Sequence, residues 1–104
     1  MRARTFGRMS EPASDEAIEA ALKTLPGWSY EDGALKKTYQ FGAFPEAISF
    51  ITRIAFEAEQ RGHHPEIRNV YSTVEIALKT HDAGDVVTDK DTELAQVIEK
   101  ISWV

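Results

Sequence analysis

The sequence predicts an α+β domain, a four-stranded antiparallel sheet with three helices packed on one face, in the order α-β-β-α-β-β-α. Three observations predict it. Two turn regions, Asp32-Gly33 and the stretch near Ser72, each separate a pair of short strand-like runs. Three longer stretches place apolar residues at helical spacing. A length of 104 residues suits one domain with one core.

Ser10 to Leu25 is expected as the first helix. Ser14 is a fitting N-cap, Asp15 and Glu16 suit the positive end of the dipole, and Ile18, Ala21, Leu22 and Leu25 form the apolar stripe. Pro26-Gly27 ends it. Trp28–Glu31 and Ala34–Phe41 follow as strands joined at Asp32-Gly33. In the second, Leu35, Tyr39 and Phe41 share one face, and Lys36, Thr38 and Gln40 the other.

Pro45 to Arg61 is the longest helix, with proline in its first turn. Its apolar face is Ala47, Ile48, Ile51, Ile54, Ala55 and Ala58, widened by Phe44, Phe50 and Phe56. Gly62 stands where a left-handed residue would stop it. Glu66–Ser72 and Thr73–Thr80 make the second hairpin, where Val74, Ile76 and Leu78 alternate with polar positions. A loop from Asp82 to Val87 leads to the last helix, Thr88–Trp103, with Leu94, Val97, Ile98 and Ile101 inward. Tyr71 and Trp28 are expected as core aromatics.

There is no cysteine, which removes disulfides, thiol catalysis and thiolate metal sites and is compatible with a cytoplasmic setting. Net charge is −5, and Arg2, Arg4 and Arg8 in the first ten residues leave −8 on the remainder. So acidic a body argues against a nucleic-acid partner. No run reaches the apolar length of a membrane span, and the basic start lacks a signal-type apolar stretch. Residues 1–10 are read as a flexible extension before a single domain, 11–104. A short transit peptide is the other reading.

All three histidines fall between His63 and His81. His63 and His64 follow the expected helix end and precede Pro65, which biases His64 away from helix. On extended backbone adjacent side chains point to opposite sides, so the two are not expected to share one job. His81 ends the last strand, and the hairpin should bring it back toward them, around one hollow. Imidazole gives and takes protons near neutral pH, so the cluster points to an acid/base site. Two readings compete: unconnected surface histidines, and a three-histidine metal site, against which adjacent histidines rarely face one ion. Glu59 is either a solvated helix-end carboxylate or part of the site. Asp91 closes a capping-box spacing from Thr88, which is compatible with lining a site.

Several stretches together resemble the pterin-4a-carbinolamine dehydratases, also known in animals as dimerisation cofactors of a hepatocyte transcription factor. They are Leu25-Pro26-Gly27-Trp28, Phe41 with Phe44, Ala58-Glu59, Gly62-His63-His64-Pro65, Asn69-Val70-Tyr71, Thr80-His81-Asp82-Ala83-Gly84, and Thr88 to Ala95. The likeness covers roughly residues 14–101. It implies dehydration of a 4a-hydroxytetrahydropterin to the quinonoid dihydropterin, in tetrahydropterin recycling, with no metal or organic cofactor. It also implies a homodimer or homotetramer. By the resemblance, His63 and His81 do acid/base work, and His64 mainly binds substrate. Glu59, Pro65, Thr80 and Asp91 line or support the pocket. The alternative is a non-catalytic dimerisation or assembly module of the same fold. The sequence departs from the family's pattern in two places. The loop running Gly84-Asp85-Val86-Val87-Thr88 is one residue longer, which leaves Asp89 as the alternative to Asp91. Ala43 replaces an acidic helix cap.

Overall fold

The computed structural model describes residues 11–102. The expected extension, residues 1–10, and the expected helix end at Trp103 lie outside the described residues. The element order is α1 (Asp15–Leu22), β1 (Ser29–Glu31), β2 (Ala34–Gln40), α2 (Phe44–Arg61), β3 (Glu66–Val70), β4 (Thr73–Leu78) and α3 (Asp89–Ile101), with a single 3-10 turn at His81–Ala83. The strands form one antiparallel sheet in the order β1-β2-β4-β3. This is the α-β-β-α-β-β-α arrangement expected.

Leu35, Tyr39, Val74, Ile76 and Leu78 point to one side of the sheet and pack against Ile18 of α1, Ala47, Phe50 and Ile54 of α2, and Leu94, Ala95 and Ile98 of α3. Thr38, Glu66, Arg68 and Glu75 stand exposed on the other side. That single covered face follows from the alternation of β2 and β4.

The first helix is shorter than its apolar stripe suggested. Ser14 caps it, its hydroxyl accepting from the Ala17 N–H at 3.1 Å. Residues before the cap are extended, because Pro12 bridges Thr88 and the Ala13 N–H donates to the Val87 carbonyl at 2.8 Å. Leu25 is buried, but from a turn beyond the helix. The apolar face of α2 is also narrower than expected. Ala47, Phe50, Ile54 and Ala58 are buried, whereas Phe44, Ile48 and Phe56 are exposed. Tyr71 is no core aromatic. It occupies the β3–β4 turn with φ 54° and is 83% exposed. Trp28 is buried as expected.

Of the two caps of α2, the C-terminal one bears on the site. With no side-chain cap at Ala43, Glu46 reaches back to the Gly42 N–H at 2.9 Å. At the other end of α2, Gly62 is left-handed (φ 60°, ψ 32°). There the Gly62 N–H donates to the Glu59 carbonyl and the His63 N–H to the Ala58 carbonyl, both at 3.1 Å. That pair of bonds is a Schellman cap, and it ties the backbone of His63 to the helix. A Cβ on Gly62 would meet nothing within 4 Å, so only its φ requires glycine. Gly62→Ala is therefore expected to cost about 1–2 kcal/mol through backbone strain alone. Thermal unfolding checks this, and an unchanged midpoint would contradict it.

Candidate active site

The β3–β4 pairing ends at Glu66↔Ala77; His63 precedes β3 and Thr80 follows β4. One carboxylate joins these two strand ends. Asp91 Oδ1 lies 2.6 Å from His63 Nε2, and Asp91 Oδ2 accepts the Thr80 hydroxyl at 2.8 Å and the Thr88 N–H at 2.9 Å. Thr80 and Thr88 touch through their hydroxyl oxygens at 2.6 Å. Asp91 and Thr88 are fully buried and His63 is 9% exposed. The capping box at the start of α3 is present, so Asp91 closes the helix with one oxygen and holds His63 with the other. Asp89, the alternative on sequence, is exposed.

His81 directly follows Thr80 and stands in solvent, its side chain 90% exposed. Its Nδ1 lies 2.9 Å from Asp85 Oδ1. The loop makes that pairing by turning sharply. Gly84 and Asp85 both have positive φ, 92° and 60°, and the Thr80 N–H closes the loop on the Val86 carbonyl at 2.8 Å. Aspartate tolerates this backbone better than most residues. Asp85 raises the pKa of His81, first through its hydrogen bond and then through its charge. Asp82 adds to the shift, while desolvation and Lys79 oppose it. The Asp85 carboxyl is correspondingly lowered, chiefly by the same hydrogen bond.

His64 points the other way. Its Nε2 lies 2.9 Å from Glu59 Oε1, in a pair that is largely exposed. Both line a cavity of about 220 Å³ together with Pro65, Ile54, Ala55, Ala58 and Ile67. His63 and His81 are not among the residues lining it.

The site residues thus fall into two groups. His63, Thr80, Asp91 and the start of the His81 loop meet at one place. His64, Glu59 and Pro65 meet at another, the small cavity. The expectation of three imidazoles around one hollow is corrected accordingly: the strand ends meet, but extended backbone turns His64 away from His63. Thr80 and Asp91, expected to line or support the pocket, are both buried, Asp91 against His63 and Thr80 against Asp91. Reading from sequence missed Thr88 as a member of this network and Asp85 as the partner of His81. A Thr-x-x-Asp spacing signalled the first. Nothing local signalled the second, since the pairing depends on the left-handed turn. Among the described residues, no group of three or more His, Cys, Asp or Glu is arranged to hold a metal ion, and no helix is long and apolar enough to cross a membrane.

The chain is similar to known proteins over nearly its whole length. A protein from Opitutus terrae that carries the name "Putative pterin-4-alpha-carbinolamine dehydratase" is 59% identical over 87 residues, 84% of this chain and 90% of that protein. One from Nitrobacter winogradskyi is 50% identical over 96 residues, 90% of this chain and 94% of its own. The crystal structure of a transcriptional coactivator/pterin dehydratase from Brucella melitensis superposes with a TM-score of 0.84 at 31% identity, covering 88% of this chain and 99% of that one. The family model described as pterin 4 alpha carbinolamine dehydratase matches residues 11–101, a span that takes in every element of the sheet, all three helices and all three histidines. The chain belongs to the pterin 4 alpha carbinolamine dehydratase family.

Proposed function

We propose that this protein dehydrates a 4a-hydroxytetrahydropterin to the quinonoid dihydropterin by histidine acid/base catalysis. Family membership supports the reaction. The observation that supports the mechanism is His63 held at 2.6 Å on a buried carboxylate, at the strand end from which His81 continues. Hydroxide is a poor leaving group, so the 4a-hydroxyl must be protonated to depart as water. A ring N–H must lose its proton as a double bond forms to the carbon that held the oxygen. One proton is given and one is taken, so two imidazoles suffice. We assign His81 as the acid, since Asp85 favours its charged form, and His63 as the base. The cavity beside His64, Glu59 and Pro65 is smaller than a whole ligand pocket at about 220 Å³. It takes one edge of the ring system, and these residues contribute binding rather than proton transfer.

The physiological setting we infer is tetrahydropterin recycling in the cytoplasm. We also infer a homodimer or homotetramer, without direct nucleic-acid contact. Phe44, Ile48 and Phe56 are exposed on α2, and a helix with so much bare apolar surface is usually covered. Light scattering should show more than one chain at micromolar concentration, and a species of 11.7 kDa would contradict the assembly.

The reaction is tested by adding purified protein to 4a-hydroxytetrahydropterin and following the loss of the intermediate against its spontaneous decay. Acceleration in proportion to protein is expected. No acceleration would leave the assembly module as the better reading.

The assignment of His81 gives a pH prediction. A raised pKa keeps the acid form present to higher pH, and that form is lost as pH climbs through the shifted value. In Asp85→Asn the titration midpoint of His81, read by NMR, should fall toward the ordinary imidazole range. The alkaline limb of the rate profile should fall with it. An unmoved midpoint would mean that the pair does not form in solution.

A further inference from the structure

We infer that Asp91 is a positioning residue that fixes the tautomer of His63, leaving Nδ1 as the nitrogen that exchanges the proton. This rests on the dehydratase reading but names an atom that reading leaves open.

The donors around the carboxylate decide which way the His63 hydrogen bond runs. The single hydroxyl hydrogen of Thr80 goes to Asp91 Oδ2, 2.8 Å away. The hydroxyl of Thr88 lies 2.6 Å from that of Thr80, so Thr88 supplies the hydrogen between them. The Lys90 N–H donates to the Thr88 hydroxyl oxygen at 3.2 Å, and the Thr88 N–H donates to Asp91 Oδ2 at 2.9 Å. Every hydrogen in this buried web points toward the carboxylate. An ionised carboxylate only accepts, and the N-terminal end of α3 favours its charge. His63 Nε2, 2.6 Å from Oδ1, therefore donates. In a neutral imidazole the lone pair is then on Nδ1.

Nδ1 takes the proton of the substrate ring N–H. The electron pair of that bond closes the new double bond, and the 4a-oxygen leaves as water on a proton from His81. The imidazolium so formed on His63 faces a carboxylate already in place to stabilise it. Solvent then removes the proton from Nδ1 and restores the one on His81.

The geometry makes Asp91→Asn a reversal rather than a simple loss. The Thr88 N–H belongs to the backbone, so no change at position 91 removes it. With the Thr80 hydroxyl beside it, it demands an acceptor. The amide oxygen of asparagine must face these two donors, which turns its NH₂ toward His63. Nε2 must then accept, and the ring hydrogen moves to Nδ1. The shape of the site is kept while its base is blocked.

The test is imidazole ¹⁵N NMR on the full chain without substrate, at a pH where His63 is neutral. Wild type should carry its hydrogen on Nε2, and Asp91→Asn on Nδ1. With a 4a-hydroxytetrahydropterin, the variant's kcat should fall by about 10²–10⁴ with little change in KM. A wild-type hydrogen on Nδ1, or an unchanged tautomer in the variant, overturns the inference. The wild-type spectrum decides even if the variant does not fold. A wild-type protein with the Nε2–H tautomer but no dehydratase activity would support this geometry and sink only the dehydratase reading.

Discussion

His63→Ala and His81→Ala are each expected to lower kcat by about 10²–10⁴, the usual contribution of a positioned general acid or base. The two should differ in everything else. His81 is exposed and holds only a surface pair with Asp85, so its removal should leave thermal stability nearly unchanged. His63 is the donor to one oxygen of a fully buried carboxylate. Removing it leaves that oxygen unsatisfied, at about 1–3 kcal/mol. His64→Ala should act mainly on KM, because His64 faces the small cavity with Glu59 and Pro65. Steady-state kinetics beside thermal unfolding separates the three. Wild-type turnover in both His63→Ala and His81→Ala would refute the assignment of roles.

Glu99→Ala should cost much stability although it lies outside the apolar core. The Glu99 carboxylate accepts from Trp28 Nε1 at 3.0 Å, Tyr39 OH at 2.7 Å and Lys37 Nζ at 3.0 Å. Lys37 also donates to the Pro26 carbonyl at 2.7 Å. The cluster therefore ties the turn after α1, the inner face of β2 and α3 together. Burial would raise the pKa of Glu99, but the donors Tyr39, Lys37 and Trp28 outweigh it and the net shift is downward. Burial, and then Glu99, push that of Tyr39 up. A lowered carboxyl contributes stability above its unfolded pKa and loses it as pH falls through the folded value, so the protein should weaken in acid partly through this group. Alanine would strand the phenol of Tyr39 and the indole N–H of Trp28, both buried residues, and would take the carboxylate away from the Lys37 ammonium, which keeps the Pro26 carbonyl. The expected loss is about 2–3 kcal/mol, below the figure for a fully buried pair because Glu99 and Lys37 keep some solvent. For a domain of this size that is a fall of roughly 10–20 °C in Tm. A fall of less than about 3 °C would mean that water replaces the carboxylate without penalty.

This cluster also shows where reading the sequence stops. Period-2 alternation identified Leu35 and Tyr39 as inward-facing, and they are buried. Lys37 lies between them on the same face, and only the arrival of Glu99 from α3, 62 positions away, explains a lysine there. Local signals fared better. Ser14, Asp32-Gly33, Gly62 and the Thr88-x-x-Asp91 box all do locally what their chemistry requires. Patterns that needed the neighbour's shape were less informative. The stripe on α2 could not say that Ile48 and Phe56 would be left bare, since the sheet covers only part of that helix. At the site, alternation gave the opposed directions of His63 and His64. It could not show that Asp91 would reach His63, because that contact joins the end of α2 to the start of α3. Nor could it pair Asp85 with His81, which depends on two successive left-handed residues.

The most direct measurement is a structure of the protein with a stable dihydropterin bound. The account predicts the ring at the meeting of the two strand ends, with its reacting edge within hydrogen-bond reach of His63 Nδ1 and a His81 nitrogen, and with His64 or Pro65 against its far edge. A ring seated away from both His63 and His81, for instance in the groove lined by Ile18, Leu22 and Trp28 between α1 and β1, would contradict it.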